Sequence, residues 1–262
     1  MSEYDDRMTD LSSGVIESEA TSRFTGDVSV RVLERVGSTN TWVKDFIAGT
    51  SLAPGETLVC AAEHQTAGRG RRGRVWHSPW RGVTFTTAFG VSQPAHQLSG
   101  LSLLCGVAVC TVLRESGING AAVKWPNDIL IEQAKLAGIL IEVIGVRANS
   151  AVIVAGIGVN YRRGHEAALI DQSSTDLYQL LGDSLPDRSV LIGAMVGELR
   201  RCCAGNIAES VAGLAPRWHD YDALRGKQVE CTGDGAEPLT GTAVGIDQLG
   251  RLLIQTDSGN AA

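Results

Sequence analysis

The stretch that most restricts the fold is "GRGRRGR", Gly68–Arg74, with four arginines and three glycines in seven residues. Glycine weakens helix and strand interiors alike, and adjacent guanidinium groups repel, so this segment must be a loop. It therefore separates two elements. Glu56–Ala62 before it is a β-prone run, and Val83, Phe85, Thr87, Phe89 and Val91 after it alternate with small residues as a strand does. The chain around this basic loop has a net charge of −6, from 23 Lys and Arg against 29 Asp and Glu. An acidic whole argues against a surface devoted to DNA, so the basicity needs a local cause. Three causes compete: an RNA-binding Arg-Gly tract, a solvated surface loop, or a lid over a small anion. Arg-Gly tracts usually repeat in tails, whereas this one is single and lies between strands. Its glycines let backbone N–H groups converge on an anion while guanidinium forks pair with phosphate or carboxylate. The lid is the favoured reading.

The rest of the chain supplies the scaffold. Val28–Val36 reads as a strand, and "GSTN" (Gly37–Asn40) as a turn in which Ser38 or Thr39 caps a helix with apolar face Trp42, Val43, Phe46 and Ile47. Ala95–Ser116 reads as one buried helix. Ala121–Trp125 and Asp128–Glu132 read as strands around a Pro-Asn turn, the second forming a hairpin with Leu136–Ile144, and Ala151–Val159 as a further strand. Helical patterns fill Ser173–Leu181, Val190–Ile207 and Ala208–Leu224. From Gly226 the texture changes to short β runs between glycine-rich turns, as in a small barrel. Three parts are thus expected: a disordered tail over residues 1–26, rich in Ser, Thr, Asp and Glu, an α+β domain over 27–225, and a β module over 226–262. Six cysteines without CxxC spacing read as buried thiols of a reducing, cytoplasmic setting. The most apolar run, Leu101–Leu113, falls short of the roughly 20 residues a bilayer requires, so no membrane association is expected.

Two further motifs carry chemistry. In "VKWPNDIL" (Val123–Leu130), a lysine ends an apolar strand and the following turn fixes its direction. Lys124 either stabilises charge building on a phosphate or snorkels to solvent. Asp128 serves a metal, orients a neighbour or closes the turn, the last being the simplest reading. "GIGVN" (Gly156–Asn160) ends a buried strand with two glycines, where backbone can approach a flat ligand, and an amide offering donor and acceptor to a purine edge.

In order, "GSTN", "AEHQTAGRGRRGRVWHSP", "VKWPNDIL", "KLAGILIE" (Lys135–Glu142) and "GIGVN" resemble the motif series of biotin protein ligases, over about Val28 to Thr256. The resemblance implies an α+β, class II aminoacyl-tRNA synthetase-like catalytic fold with a C-terminal SH3-like β-barrel. It implies activation of biotin to biotinyl-5′-AMP and transfer to one lysine of a biotin carboxyl carrier domain. By the same resemblance, Ser38, Thr39 and Gln65 meet the ureido ring, Arg69 and Arg71 flank the carboxylate and α-phosphate, and Asn40 and Gly68 also bind biotin. Lys124 sits at the reacting centre. Gly138 and Ile139 floor the biotin pocket, with Gly156 and Gly158 in its wall. Arg71, Arg74, Trp76, Lys124, Asn127 and Asn160 hold the nucleotide. ATP with Mg2+ is implied, its metal ligands unassigned, and no tightly bound prosthetic group. The implied partner is the carrier domain of a biotin-dependent carboxylase, with no DNA, and with monomer and homodimer both open. A short acidic tail before Val28 gives no expectation of a repressor function. The family's barrel ends in another strand and a "GE-S-R"-like tail where this chain stops at "SGNAA", so an incomplete barrel is expected. A lipoate or octanoyl transferase shares the fold but lacks the arginine loop. A non-catalytic RNA-binding protein would show salt-sensitive RNA retention instead.

Overall fold

The computed structural model describes residues 10–49, 52, 55–77, 82–162, 173–232, 237–256 and 259–261. Its centre is a seven-stranded sheet in the order β1-β2-β3-β7-β6-β5-β4. The strands are β1 (Val28–Val36), β2 (Thr57–Gln65), β3 (Val83–Val91), β4 (Ala121–Lys124), β5 (Asp128–Ile131), β6 (Ala134–Arg147) and β7 (Ser150–Val159). β1 and β2 run parallel, and every other pairing is antiparallel. β3 is buried along its whole length, because both faces of the sheet are covered there. On one face, Phe85, Phe89, Ile153 and Ile157 join the main core with α3 (Leu101–Glu115) and α5 (Arg188–Cys202). On the other, Leu58, Cys60, Ala88 and Val154 receive Val43 and Ile47 of α2 (Thr39–Ala48). The expected helix face is thus half right. Val43 and Ile47 enter the core, whereas Phe46 stays exposed and stacks on Trp42 at 5.0 Å.

Three expectations are corrected. The tail expected to be disordered contains α1 (Ser13–Arg23), whose Ile16 and Ala20 are fully buried; residues 1–9 lie outside the described part. α1 is possible because α5 presents glycines to it. A Cβ on Gly193 or Gly197 would lie 2.6 Å from the carbonyl oxygens of Ile16 or Ala20. The approach is further pinned by a buried pair, Arg188 Nη1 to Glu63 Oε2 at 2.6 Å, whose Oε1 also accepts from Leu11 N at 2.7 Å. The helix expected over Ala95–Ser116 starts only at Leu101, because Gly100 sits at φ 72° and breaks it from a 3-10 turn over Ala95–Leu98. The last two helical stretches also shorten. α5 ends at Cys202, and α6 (Ile207–Leu214) gives way to a 3-10 turn that carries Pro216, which cannot donate to a helical ladder. A short helix α4 (Leu177–Leu181) completes the set.

The C-terminal module is a four-stranded antiparallel sheet, β11-β10-β9-β8, made of β8 (Gln228–Cys231), β9 (Leu239–Ile246), β10 (Leu252–Thr256) and β11 (Gly259–Ala261). The chain thus does carry a strand after Thr256, short as it is. Trp125 ties the module down, packing against its core and donating from Nε1 to Gly250 O at 3.0 Å. All six cysteines are free; four are buried, and Cys202 and Cys231 are half-buried. No described helix is long and apolar enough to cross a membrane.

Candidate active site

One cavity of about 790 Å³ opens between α2, the arginine loop, the β4–β5 turn and β8. That volume suits a ligand larger than a single metabolite ring, the usual range being roughly 300–1,000 Å³. Every residue singled out by the motifs lines it except Gly68. Gly68 instead forms the neck of the loop. Its carbonyl accepts from Trp76 N at 2.9 Å, and a Cβ there would lie 2.3 Å from Trp76 O.

The loop is a small hairpin with bonds of its own. Gly70 N donates to Arg74 O at 2.7 Å, and Arg69 bridges to Val75. Its four guanidinium groups remain exposed. Arg71 reaches Asn127 Oδ1 at 3.0 Å, and Arg72 reaches the carbonyl of Thr232 at 3.3 Å in the module. Lys124, Lys135 and Lys227 complete a lining of seven cationic side chains against the carboxylates of Asp128 and Glu230. In a chain of net charge −6, this concentrates positive potential in one place and suits an anionic ligand.

Lys124 stands half-buried at the end of β4, and no ion pair engages its ammonium among the described residues. Asp128, opposite it in register, pairs with Lys135 Nζ at 2.8 Å, so it orients a neighbour as well as bounding the turn. Asn127 is a brace. It exchanges backbone bonds with Lys124 and Ile139 and donates from Nδ2 to Ile139 O at 2.9 Å, leaving Oδ1 to hold Arg71.

The glycine wall works differently from expectation. A Cβ on Gly158 would lie 2.3 Å from the Trp76 ring, and one on Gly138 3.1 Å from it. These glycines therefore seat the indole, with Lys135 Nζ 5.6 Å from the ring centroid. The buried Trp76 Nε1 has no hydrogen-bond partner among the described residues. Gly156 makes room in the same way for Asn40 Oδ1, 2.0 Å from where its Cβ would stand. Ile139 offers backbone only, since its side chain belongs to the main core. Asn160 is also corrected. Both its amide protons are spent on Lys135 O and Thr175 O, at 3.1 and 2.9 Å, so it fixes the wall and retains only an acceptor.

At the far end, the start of α2 is polar and buried. Ser38 occupies the N-cap position, yet its side chain makes no capping bond, so capping does not account for it. Thr39 N and Oγ1 reach Gln65 Oε1 at 2.8 and 3.0 Å, and Thr86 Oγ1 contacts both Thr39 Oγ1 and Asn40 Oδ1 at 2.7 and 2.6 Å. Asn40 Nδ2 donates to Glu142 Oε2 at 3.0 Å, and Lys44 Nζ to Glu142 Oε1 at 2.7 Å. Burial disfavours the charged form of Glu142, but the donors Lys44 and Asn40, aided by the charges of Lys44 and Arg69, outweigh it and hold the carboxyl below its ordinary range. Sequence reasoning missed Thr86, Glu142, Lys44 and the β8 wall. The first signal for Glu142 was a carboxylate in an otherwise apolar strand; nothing local marks β8.

Residues 32–160 match the biotin/lipoate A/B protein ligase family, and residues 225–260 match the biotin protein ligase C-terminal domain. The bifunctional ligase/repressor BirA of Escherichia coli is 37% identical over 231 residues, spanning 87% of this chain and 70% of the relative. The biotin–[acetyl-CoA-carboxylase] ligase of Mycobacterium tuberculosis is 33% identical over 235 residues, spanning 85% and 82%. The chain belongs to the biotin protein ligase family. The fold of this ligase agrees with that of the Aquifex aeolicus biotin protein ligase in complex with biotin and ATP, at a TM-score of 0.68 and 24% identity over 91% and 95% of the two chains. The Leishmania major ligase in complex with biotinyl-5-AMP gives 0.60 at 23%, over 89% and 98%. The mixed α/β catalytic part and the small antiparallel C-terminal sheet of this ligase are those of the family.

Proposed function

We propose that this ligase binds biotin and ATP in this cavity, forms biotinyl-5′-AMP there, and transfers biotin to a specific lysine of a biotin carboxyl carrier domain. The observation that carries the reading is the polarity of the cavity. It has a buried hydrogen-bonding wall at the start of α2 and seven cationic side chains elsewhere. A ureido bicycle with a carboxylate tail fits that division, and the triphosphate fits the cationic end.

Ser38, Thr39 and Gln65 meet the ureido ring. Arg69 and Arg71 hold the carboxylate beside the α-phosphate, Arg71 being aimed by Asn127. A carboxylate oxygen attacks the α-phosphorus, the bond to the β-phosphate oxygen breaks and pyrophosphate leaves. Lys124 stabilises the charge on the phosphorus oxygens during that step. In the second step the carrier's neutral lysine amine attacks the acyl carbon, AMP departs and an amide forms. Arg74 and Trp76 hold the adenine, with Asn160 fixing the wall behind. Among the described residues no group of three or more His, Cys, Asp or Glu could hold a metal ion, so no residue is assigned to Mg2+. Mg2+ commonly binds through substrate phosphates rather than a protein cage. A cytoplasmic setting accords with six free thiols.

A lipoate-type substrate has no ring amides for the Thr39–Gln65 wall to meet, which favours biotin over it. Biotin-dependent ATP–pyrophosphate exchange by the purified chain tests the first step, and mass analysis of an added carrier domain tests the second. Exchange driven by lipoate and not biotin would overturn the substrate. Exchange without carrier labelling would overturn the acceptor.

A further inference from the structure

The polar wall at the start of α2 has a proton count that does not close. Thr39 Oγ1 contacts Gln65 Oε1, Thr39 Oγ1 contacts Thr86 Oγ1, and Thr86 Oγ1 contacts Asn40 Oδ1. Three oxygen–oxygen contacts thus share the two protons that two hydroxyls bring. The amides add none, because each is fixed with its oxygen inward. Thr39 N–H holds Gln65 Oε1 at 2.8 Å. Glu142, ionised beside Lys44, only accepts, so Asn40 must turn its Nδ2 to the carboxylate and its Oδ1 to Thr86. Thr86 then gives its single proton to Asn40. Thr39 gives its own to Thr86 or to Gln65, never to both.

We propose that Glu142, locked by Lys44, is the positioning residue that sets this wall to accept, so that the site selects a ligand presenting N–H donors, the ureido edge of biotin. The proposal rests on the ligase reading. A ureido N–H directed at Thr39 Oγ1 or Gln65 Oε1 meets an acceptor lone pair that the wall's own hydroxyl protons leave unfilled. Glu142, Lys44 and Thr86 do not line the cavity, so their effect passes through Asn40 and Thr39. The path is built tightly. Thr86 is fully buried, and Gly156, its register partner on β7, leaves room for Asn40 Oδ1 that a Cβ would fill. The competing view is an ordinary surface ion pair, since the two side chains are each 25% exposed. Such pairs contribute little and would leave ligand choice untouched.

Glu142→Gln separates the two views. Glutamine keeps the shape but can donate, which lets Asn40 turn over and give Nδ2–H to Thr86. Thr86 then donates to Thr39 and Thr39 to Gln65, closing the count with no ligand. In the full chain, the KM for biotin in ATP–pyrophosphate exchange should rise roughly 10- to 100-fold, the range for losing a charge-backed hydrogen bond. The kcat should stay within about twofold, as for lost uniform binding. The preference for biotin over a biotin methylated on a ureido nitrogen should fall by the same factor. An unchanged biotin KM in Glu142→Gln overturns the proposal and leaves the ligase reading standing. A fall in kcat alone, or loss of the fold, overturns it as well and makes the pair catalytic or purely structural. No biotin-dependent exchange by the unaltered chain overturns both readings.

Discussion

On the proposed reading, single side chains divide into those that meet the ligand and those that hold them. Lys124 is the clearest of the first kind, a half-buried ammonium facing the cavity. Lys124→Ala should lower pyrophosphate exchange on the order of 100-fold, as loss of one preorganised charge contact does, with a much smaller change in biotin affinity. Near-normal exchange would remove it from the reacting centre. Trp76 rests on Gly158 and Gly138 with Lys135 close by, leaving it braced to stack. Trp76→Ala should cost roughly 1–3 kcal/mol of ATP affinity by calorimetry, the range for base–aromatic stacking. A loss as large for biotin as for ATP would assign the indole to the wrong ligand. Cys60 and Cys110 are of neither kind and lie in the hydrophobic cores on the two faces of the sheet. Burial pushes Cys60 and Cys110 up to about 12, so almost no thiolate exists at pH 8. Iodoacetamide should leave both unmodified in the native chain, and label them only on unfolding, as read by peptide mass mapping.

At the scale of elements, what could be read in the sequence depended on whether local pattern and tertiary context agreed. β1, β3 and β7 were legible because apolar residues there run in strand-like series between turn residues. α1 was not, because Ile16 and Ala20 are isolated among Ser, Glu and Thr, and only the glycine groove of α5 makes them a core face. Glu142 went unread for a related reason. A single carboxylate between Leu140-Ile141 and Val143-Ile144 looks like a solvent-facing residue until α2 is laid across it. The arginine loop was the most legible of all as structure, since its composition dictated a loop between two strands. Its hairpin bonds show how it presents four guanidinium groups outward from a narrow neck at Gly68. Arg71, held by Asn127, should help retain the mixed anhydride. Arg71→Gly should therefore release the adenylate faster and biotinylate lysines of an unrelated bystander protein in a blot. Labelling confined to the carrier domain would show that the loop does not retain it.

Across the whole molecule, the cavity and the α1–α5 contact lie on opposite faces of one sheet, so stability and activity can be separated. α2 and Trp76 after the loop stand on the face of Val154 and Gly158, while α1 and α5 join the core on the face of Phe89 and Ile153. Gly193 and Gly197 allow α1 to touch α5 backbone to backbone, and a methyl on either would stand 2.6 Å from a carbonyl oxygen that cannot swing aside. α1 must then lift, exposing Ile16 and straining the bond from Leu11 N to Glu63 that completes the buried Arg188 pair. Overpacking of this kind usually costs about 1–3 kcal/mol. Gly197→Ala should lower the urea midpoint accordingly, while kcat and the biotin KM, measured well below the unfolding transition, stay within about twofold of normal. Were activity to fall with no loss of stability, α1 would be coupled to the cavity through the sheet, and the two faces would not be independent.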